Sequence, residues 1–320
     1  MHLTTIAPAD YARDVLPHSR SLWAGSRSLE EYVADFVAVA ASGYGKRRFR
    51  TLGLEIDGAI VVSCKRYERE LRCGDQLLRA VGIGAVFTPP ELRGRGYASA
   101  LIGVLLDSER AAGTDVAYLF SDIHPTFYER LGFVALPSRS ISLRADTLPP
   151  TRLAVEPIAD ADWTAVRRCF ETLDSRRPLA FRRTPLVWDW LRLCAQTDRA
   201  ESGRVALLVR GGRGAGAYVL GRRFPKLDAF ALDEFGYTGD EGFDAIAPLI
   251  RSAAGDLRRV TGWLPPDIAR RAIPRGAVRK RKNAILMIAP LSQHARVTWR
   301  RSAAEILTDD ADRCWSTDQI

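Results

Sequence analysis

Apolar positions recur along this chain with two different periods, and the switches between them predict two successive regions of mixed helix and strand. Leu3–Ile6 reads as a short strand, and helical spacing follows Pro8-Ala9-Asp10 with Asp10 as the expected N-cap. A second helix is predicted from Ser28, where Ser-Leu-Glu-Glu has a capping-box pattern, to about Ala41. Trp23 lies between the two as a core lid or a substrate contact. After Gly43-Tyr44-Gly45 the period falls to two. Thr51–Ile56 and Ala59–Tyr67 read as strands joined by the hairpin dipeptide Asp57-Gly58, and a third strand, Leu77–Thr88, follows the turn at Cys73-Gly74-Asp75. Gly82 and Gly84 within it predict a bulge or a close backbone approach.

That strand runs into the stretch Val86-Phe87-Thr88-Pro89-Pro90-Glu91-Leu92-Arg93-Gly94-Arg95-Gly96-Tyr97-Ala98, which reads as strand, basic glycine turn, helix. A helix start exposes unpaired N–H groups at the positive end of its dipole, so a diphosphate can dock there. Gly94 and Gly96 allow close approach, and Arg93 and Arg95 add charge. Tyr97, Ala98, Leu101, Ile102, Leu105 and Leu106 then mark one buried helical face, ended by Gly113. Val116–Phe120 is apolar throughout, as a central strand is, and Ser121-Asp122-Ile123-His124 stands at its carboxyl end. Pro125 opens a short helix stopped by Gly132, and Phe133-Val134 and Ser140–Leu143 read as closing strands.

Proline-rich Thr147–Thr151 separates this region from a second one with the same order of elements. There Asp162–Leu173 and the Trp-bearing Pro185–Gln196 read as helices. Val205–Arg210, Ala215–Arg222 and Asp228–Tyr237 read as strands, Glu241–Leu257 as a helix, and Val260–Leu264 and Ala284–Ala289 as strands. The expected organisation is a unit at 1–146, a linker at 147–151, a second unit at 152–290 and a tail at 291–320. The expected fold class is α/β (α+β), with a mixed, mostly antiparallel sheet flanked by helices in each unit.

Composition narrows the classes. With 320 residues, 47% hydrophobic and 27% charged, the chain can bury two ordinary cores. Asp10 and Asp14 interrupt any signal-like apolar run, and no later window holds eighteen apolar residues, so a cytoplasmic protein without membrane contact is expected. The five cysteines, at 64, 73, 169, 194 and 314, lack paired metal-ligand spacing, and no metal is expected. The net charge of +9 favours phosphate-bearing partners without separating a nucleotide cofactor from a nucleic acid.

The segment Arg93-Gly94-Arg95-Gly96-Tyr97-Ala98 resembles the R/Q-x-x-G-x-G/A signature of the GNAT acyltransferases. Some thirty residues on, Phe127-Tyr128-Glu129-Arg130-Leu131-Gly132-Phe133 resembles their Y-x-x-L-G-F element. The resemblance implies acetyl-CoA as co-substrate. Its pantetheine arm would lie between splayed strands against Val86, Phe87 and Thr88, and its pyrophosphate at Arg93, Gly94, Arg95, Gly96, Tyr97, Ala98 and Ser99. It also implies an amine-bearing acceptor and Tyr128 as the acid that reprotonates the departing thiolate. No Glu or Asp occurs between Leu77 and Thr88, where many relatives place a base; water, with Asp122 or His124, is the substitute.

A cofactor motif in the first unit alone makes the chain similar to the enhanced-intracellular-survival type of aminoglycoside acetyltransferase. The sterol-carrier-like domain of that group has no counterpart in the thirty residues after Pro290. In that group the terminal carboxylate is the base, which implies the same role for Ile320, with Trp315 pinning the end against a frayed tail as the alternative.

Two glycine- or charge-rich runs invite other readings. Arg210–Gly216 joins two predicted strands and reads as a hairpin turn; Arg275–Lys282 reads as a solvated face, a nucleic-acid contact or a site for the cofactor's 3′-phosphate. Trp188 and Trp190, beside Arg182 and Arg183, read as core and rim or as the wall of an acceptor cleft. The function expected is acetyl transfer to a primary amine. A non-catalytic acyl-CoA-binding module is the alternative, and a nucleic-acid binder lacks a reading helix or an aromatic platform.

Overall fold

Local side-chain chemistry sets the helices of the amino-terminal part. The computed structural model describes residues 1–197, 203–211, 214–264, 271–274, 276–308 and 313–320. β1 (His2–Ile6) leads into α1 (Pro8–Asp14), α2 (Leu16–Trp23), α3 (Leu29–Ala41) and α4 (Gly43–Arg48). Ser28 caps α3 with a full box: its hydroxyl accepts from the Glu31 N–H at 3.1 Å, and Glu31 Oε2 accepts from the Ser28 N–H at 2.9 Å. α1 starts at Pro8, with Ala7 rather than Asp10 at the N-cap, because proline's fixed φ and missing N–H suit a first helical position. Gly43-Tyr44-Gly45, after which the period falls to two, is itself helical and opens α4, where the Ser42 hydroxyl accepts from the Gly45 N–H at 2.9 Å.

β2 (Phe49–Ile56), β3 (Ala59–Cys73) and β4 (Gln76–Phe87) form the expected meander. Asp57 and Gly58 take φ of 49° and 80°, the left-handed pair a tight hairpin needs. α5 (Tyr97–Ala111), β5 (Val116–Ser121), α6 (Thr126–Glu129) and β6 (Val134–Ala135) follow. Then come β7 (Arg139–Arg144), β8 (Val155–Pro157), α7 (Trp163–Asp174), β9 (Leu179–Arg182), α8 (Pro185–Thr197), β10 (Gly203–Gly211), β11 (Gly214–Phe224) and β12 (Ala229–Tyr237). α9 (Gly239–Ala254), β13 (Arg259–Trp263), β14 (Ala277–Lys280), β15 (Ile285–Pro290) and a C-terminal helix, Gln293–Thr308, complete the described elements.

Two mixed sheets result, flanked by helices. The first has the order β1-β2-β3-β4-β5-β15-β6 with β9 added to β3; the second runs β14-β7-β13-β12-β11-β10-β8. Two of the expected strands therefore change sheets. Ser140–Leu143 does not close the first sheet, because β7 pairs with β13 and β14 of the second. The last expected strand of the second half, as β15, pairs with β5 and β6 of the first. Alternation specifies a strand but not its neighbour, and burial decides the exchange. Ile285 to Ala289 are all buried, which suits a position inside a sheet covered on both faces, whereas β7 is buried only at Ile141 and Leu143. Each sheet thus contains a strand from the other half of the chain, and a cut at 147–151 separates β7 from its sheet partners β13 and β14, and β15 from β5 and β6.

Arg210 to Gly216 lies at the β10–β11 hairpin, where Gly211 pairs with Gly214; Gly212 and Arg213 lie outside the described residues. Of the basic run, Ala277–Lys280 is an exposed edge strand, and Arg275 lies outside the described residues. No helix among the described residues is long and apolar enough to cross a membrane.

Candidate active site

β4 and β5 run parallel, but their pairing ends at Gly82 opposite Tyr118, so Ile83–Phe87 and Leu119–Ser121 diverge. On the other side of β4 the register with β3 shifts between Ser63 and Lys65, leaving Ala85 and Val86 without cross-strand partners, Ala85 at φ 47°. Both features expected of the glycine-bearing strand are present: the bulge, and the close approach at Gly82. A Cβ at Gly82 would meet Ile320 Cδ1 at 2.5 Å and Tyr118 at 2.6 Å. Gly82→Ala is therefore expected to cost about 1–3 kcal/mol of stability by overpacking, read as a lower urea midpoint.

The basic turn closes below this gap. Gly94 and Gly96 take φ of 75° and 79°, and a Cβ at either would meet nothing within 4 Å, so the backbone faces open space before α5. Arg93 Nε donates to the Thr88 carbonyl at 3.1 Å, and Arg95 donates to the Glu91 carbonyl at 3.3 Å. The two arginines thereby brace the turn, and the Thr88 carbonyl already accepts a hydrogen bond. Val86, Phe87, Thr88, Arg93 and Ala98 line a cleft of about 800 Å³; Gly94, Arg95, Gly96, Tyr97 and Ser99 form the turn and helix start beside it.

Tyr128 lines the same cleft, its ring against Phe127 and Phe133 at centroid distances of 4.9 and 6.0 Å. Burial, and then the nearby Asp122 carboxylate, push its phenol up to about 12, so it keeps its proton at neutral pH. Asp122 lines the cleft too, but its carboxylate accepts from the Ala284 N–H at 2.9 Å. His124 is exposed and holds Thr126, with Nδ1 2.9 Å from its hydroxyl. Both candidate bases have local structural duties.

The far half of the cleft is walled by Trp23, Tyr32, Phe36, Phe49, Tyr67 and Trp190. Trp188 does not line this cleft: it is nearly enclosed, edge-on to Phe170 at 5.2 Å, and borders only the second cavity described below. Asp35 in this half is paired with Arg27 at 3.1 Å. Lys65 projects from β3 with Nζ 5.3 Å from the Phe36 ring centroid and 5.9 Å from that of Tyr11. Burial, reinforced by the Arg27 cation, pushes its ammonium down to about 8. A second cavity of about 560 Å³ shares Trp190, Cys194, Gln319 and Ile320 with the first and carries the space on toward Arg204 and Arg222 on the second sheet.

Ile320 also reaches the cleft. Its carbonyl carbon lies 3.6 Å from where a Cβ of Gly84 would stand. Trp315 is 2% exposed and packs edge-on against Phe235 at 5.0 Å. Asp318, fully enclosed, accepts from Arg69 Nη2 at 3.2 Å and Arg183 Nε at 3.1 Å. Arg183 also donates to Glu234 at 2.7 Å, and Glu234 accepts from the Tyr218 hydroxyl at 2.5 Å. Burial alone would raise the Asp318 carboxyl, but Arg183 and Arg69 outweigh it and hold it below the usual carboxylate range. The second sheet, through Glu234 and Tyr218, thus anchors a segment that ends against the first.

Residues 10–135 match the family model described as acetyltransferase (GNAT) domain. The segment is a GNAT domain. It begins inside α1 and ends at β6, and so contains the splayed strands, the glycine turn and Tyr128. Domains of this family use an acyl-CoA donor. A lysine acetyltransferase of Yarrowia lipolytica is 32% identical to the chain over 160 residues, 42% of this chain and 41% of that protein, so the match spans about two-fifths of the relative's length. Among solved structures, a probable N-acyltransferase from Enterococcus faecalis superposes with a TM-score of 0.72 at 16% identity, over 92% of this chain and 73% of that one. Eis1 from Mycobacterium abscessus does so with a TM-score of 0.59 at 16% identity, over 91% and 73%. At these identities the likeness is one of fold, and it extends to a tandem GNAT protein from the clavulanic acid biosynthesis pathway, with a TM-score of 0.54 at 12% identity over 91% of this chain and 98% of that one.

The sequence reading missed Lys65, Arg69, Asp318, Tyr218 and Glu234, and named Arg183 only as a neighbour of the Trp-bearing helix. One signal was available. On β3 the alternate positions Tyr67, Arg69, Leu71 and Cys73 are all buried, so Lys65 and Arg69 are cations on an inward face. The partners of Arg69 and Arg183 in the tail lie 249 and 135 residues away, beyond any local pattern.

Proposed function

We propose that the chain is an acetyl-CoA-dependent N-acetyltransferase that acetylates a primary amine by direct attack. The observation that carries this reading is the single cleft in which the diverging β4 and β5, the glycine turn, Tyr128 and an aromatic pocket meet. The name of the Yarrowia lipolytica relative makes a lysine amine the first acceptor to test.

In this reading the bulged backbone at Ala85–Val86, free of the β3 ladder, receives the pantetheine and the thioester oxygen like an added strand. The turn from Arg93 to Ser99 holds the pyrophosphate. The amine nitrogen attacks the thioester carbonyl carbon, the carbon–sulfur bond breaks, and the thiolate takes its proton from the Tyr128 hydroxyl. A free phenol of pKa about 10 is a poor donor to a thiolate of about 8.5, but the dry surroundings that raise Tyr128 raise the thiolate's proton affinity too. The Ile320 carboxyl group, on the cleft side of Gly84, receives the amine's proton in place of a side-chain base.

Release of free thiol from acetyl-CoA in the presence of L-lysine and other primary amines tests the reaction; no amine-dependent release from a broad amine panel would refute it. A Gly-Ser extension after Ile320 converts that carboxyl to an amide and is expected to cut turnover ~100-fold with little change in the CoA dissociation constant. Undiminished turnover removes Ile320 from the mechanism.

A further inference from the structure

The acceptor half of the cleft has an unusual charge balance. Arg27 and Asp35 neutralise each other there. Arg69, on the same inward face of β3, is committed to Asp318. Lys65 has rings rather than carboxylates around it: Phe36 and Tyr11 lie under its ammonium, and the charged group that acts on it most is another cation, Arg27. A sheltered ammonium is costly to keep charged unless an anion completes its surroundings. The pocket is open enough for the substrate to bring that anion.

The position of Lys65 gives the anion a place. Lys65 pairs across the sheet with Gly84, and paired residues present their side chains on the same face about 5 Å apart. The space a side chain of Gly84 would fill is taken by the Tyr67 ring at 3.2 Å and the Ile320 carbonyl carbon at 3.6 Å. The Lys65 ammonium therefore belongs to a wall of an otherwise aromatic pocket, with Gly84, Tyr67 and Ile320 beside its strand position. That pattern is complementary to an acceptor that carries a carboxylate as well as its amine: the carboxylate meets the Lys65 ammonium and the carbon skeleton lies against the rings. It is a poor match for a polycation, which would meet Lys65 with like charge.

We propose that the acceptor is an amine that also carries a carboxylate, of the amino-acid class, and that Lys65 is the residue that binds that carboxylate. The proposal rests on reading the cleft as the acceptor site of acetyl transfer. Within that reading it names the substrate class and a specificity-determining residue. Holding the carboxylate at Lys65 leaves the amine end free to face the thioester, while the aromatic walls hold the carbon skeleton.

The test compares matched pairs that differ by the carboxylate alone, L-lysine with cadaverine and L-phenylalanine with phenethylamine, in the full chain and in Lys65→Met and Lys65→Arg. Methionine suits an aromatic pocket and keeps the fold. In the wild type kcat/KM is expected to favour the amino acid of at least one pair by ~10-fold or more; the preference disappears in Lys65→Met and survives in Lys65→Arg. A second readout needs no turnover: quenching of tryptophan fluorescence by N-acetyl-L-phenylalanine against its amide, without any CoA. Acid-selective, Lys65-dependent quenching supports the carboxylate site even if no amine is acetylated, in which case only the acetyl-transfer reading fails. Preference for the decarboxylated amines, equal quenching by acid and amide, or acetylation of Lys65 itself by acetyl-CoA overturns the proposal.

Discussion

Replacing Tyr128 by phenylalanine is expected to lower kcat with acetyl-CoA by ~10²- to 10³-fold, with KM for acetyl-CoA changed by less than ~3-fold. The ring makes its contacts with Phe127 and Phe133 through carbon, so phenylalanine keeps the packing and loses only the hydroxyl. With the phenol at about 12, the wild-type enzyme should show no loss of rate from Tyr128 ionisation up to pH 10, because the protonated form is the active one and persists below the raised value. A steady-state comparison with a saturating amine, read as thiol release from pH 6 to 10, checks both points. Equal kcat for the two proteins would reduce Tyr128 to a packing residue.

Asp318→Ala is expected to be the most damaging change distant in sequence from the GNAT motifs. It leaves Arg69 and Arg183 buried opposite an empty space, and removing one partner of a buried pair costs about 3–5 kcal/mol. In thermal unfolding followed by circular dichroism this corresponds to a midpoint lower by roughly 5–10 °C. The same change frees Thr317 to Ile320 from the cleft, so turnover measured well below the new midpoint should fall ~100-fold. Asp318→Asn, which keeps the shape and one acceptor, should lie between the two proteins. If Asp318→Ala unfolds at the wild-type temperature, the arginine–aspartate cluster does not secure the segment. If it is destabilised but fully active, the cluster stabilises the fold without positioning Ile320.

The glycine turn and helix start of the candidate cofactor half were legible because their chemistry is local. A helix start with glycines at φ of 75° and 79° has to be written as glycine in consecutive sequence, and Gly94 and Gly96 are. The same holds for the capping box at Ser28 and the hairpin at Asp57-Gly58, where a few adjacent residues satisfy one another. The place of Tyr128 on the cleft wall was legible through the short element around it. Asp122 and His124 were named on equally local grounds, as groups at a strand end, and the structure adds their partners: one accepts from the Ala284 N–H and the other holds Thr126.

The acceptor half was legible only in fragments. Trp23 and Trp190 stood out singly as core or substrate-side aromatics, but their common wall is assembled from α2, α3, α8 and the first sheet. Lys65 reads as an ordinary strand residue until β3 is seen to bury its alternate positions. The partner of β15 could not be read at all. Its five buried residues specify a doubly covered strand, and β5 in the first sheet and β12 in the second are both interior strands beside which such a strand could lie.

What the sequence determined by itself is whatever rests on bonds between near neighbours. That comprises the order and period of the elements, the glycine turn at the start of α5, and the tyrosine that follows one helix and one strand later. Only the tertiary structure decided that β7 and β15 change sheets, that Arg69 and Arg183 hold Asp318, and that Lys65 and Ile320 share a wall of one pocket. Those arrangements depend on burial, which is a property of the assembled sheets: a cation or a carboxylate costs little in an exposed strand or tail, and its need for a partner appears only when the fold takes it out of water.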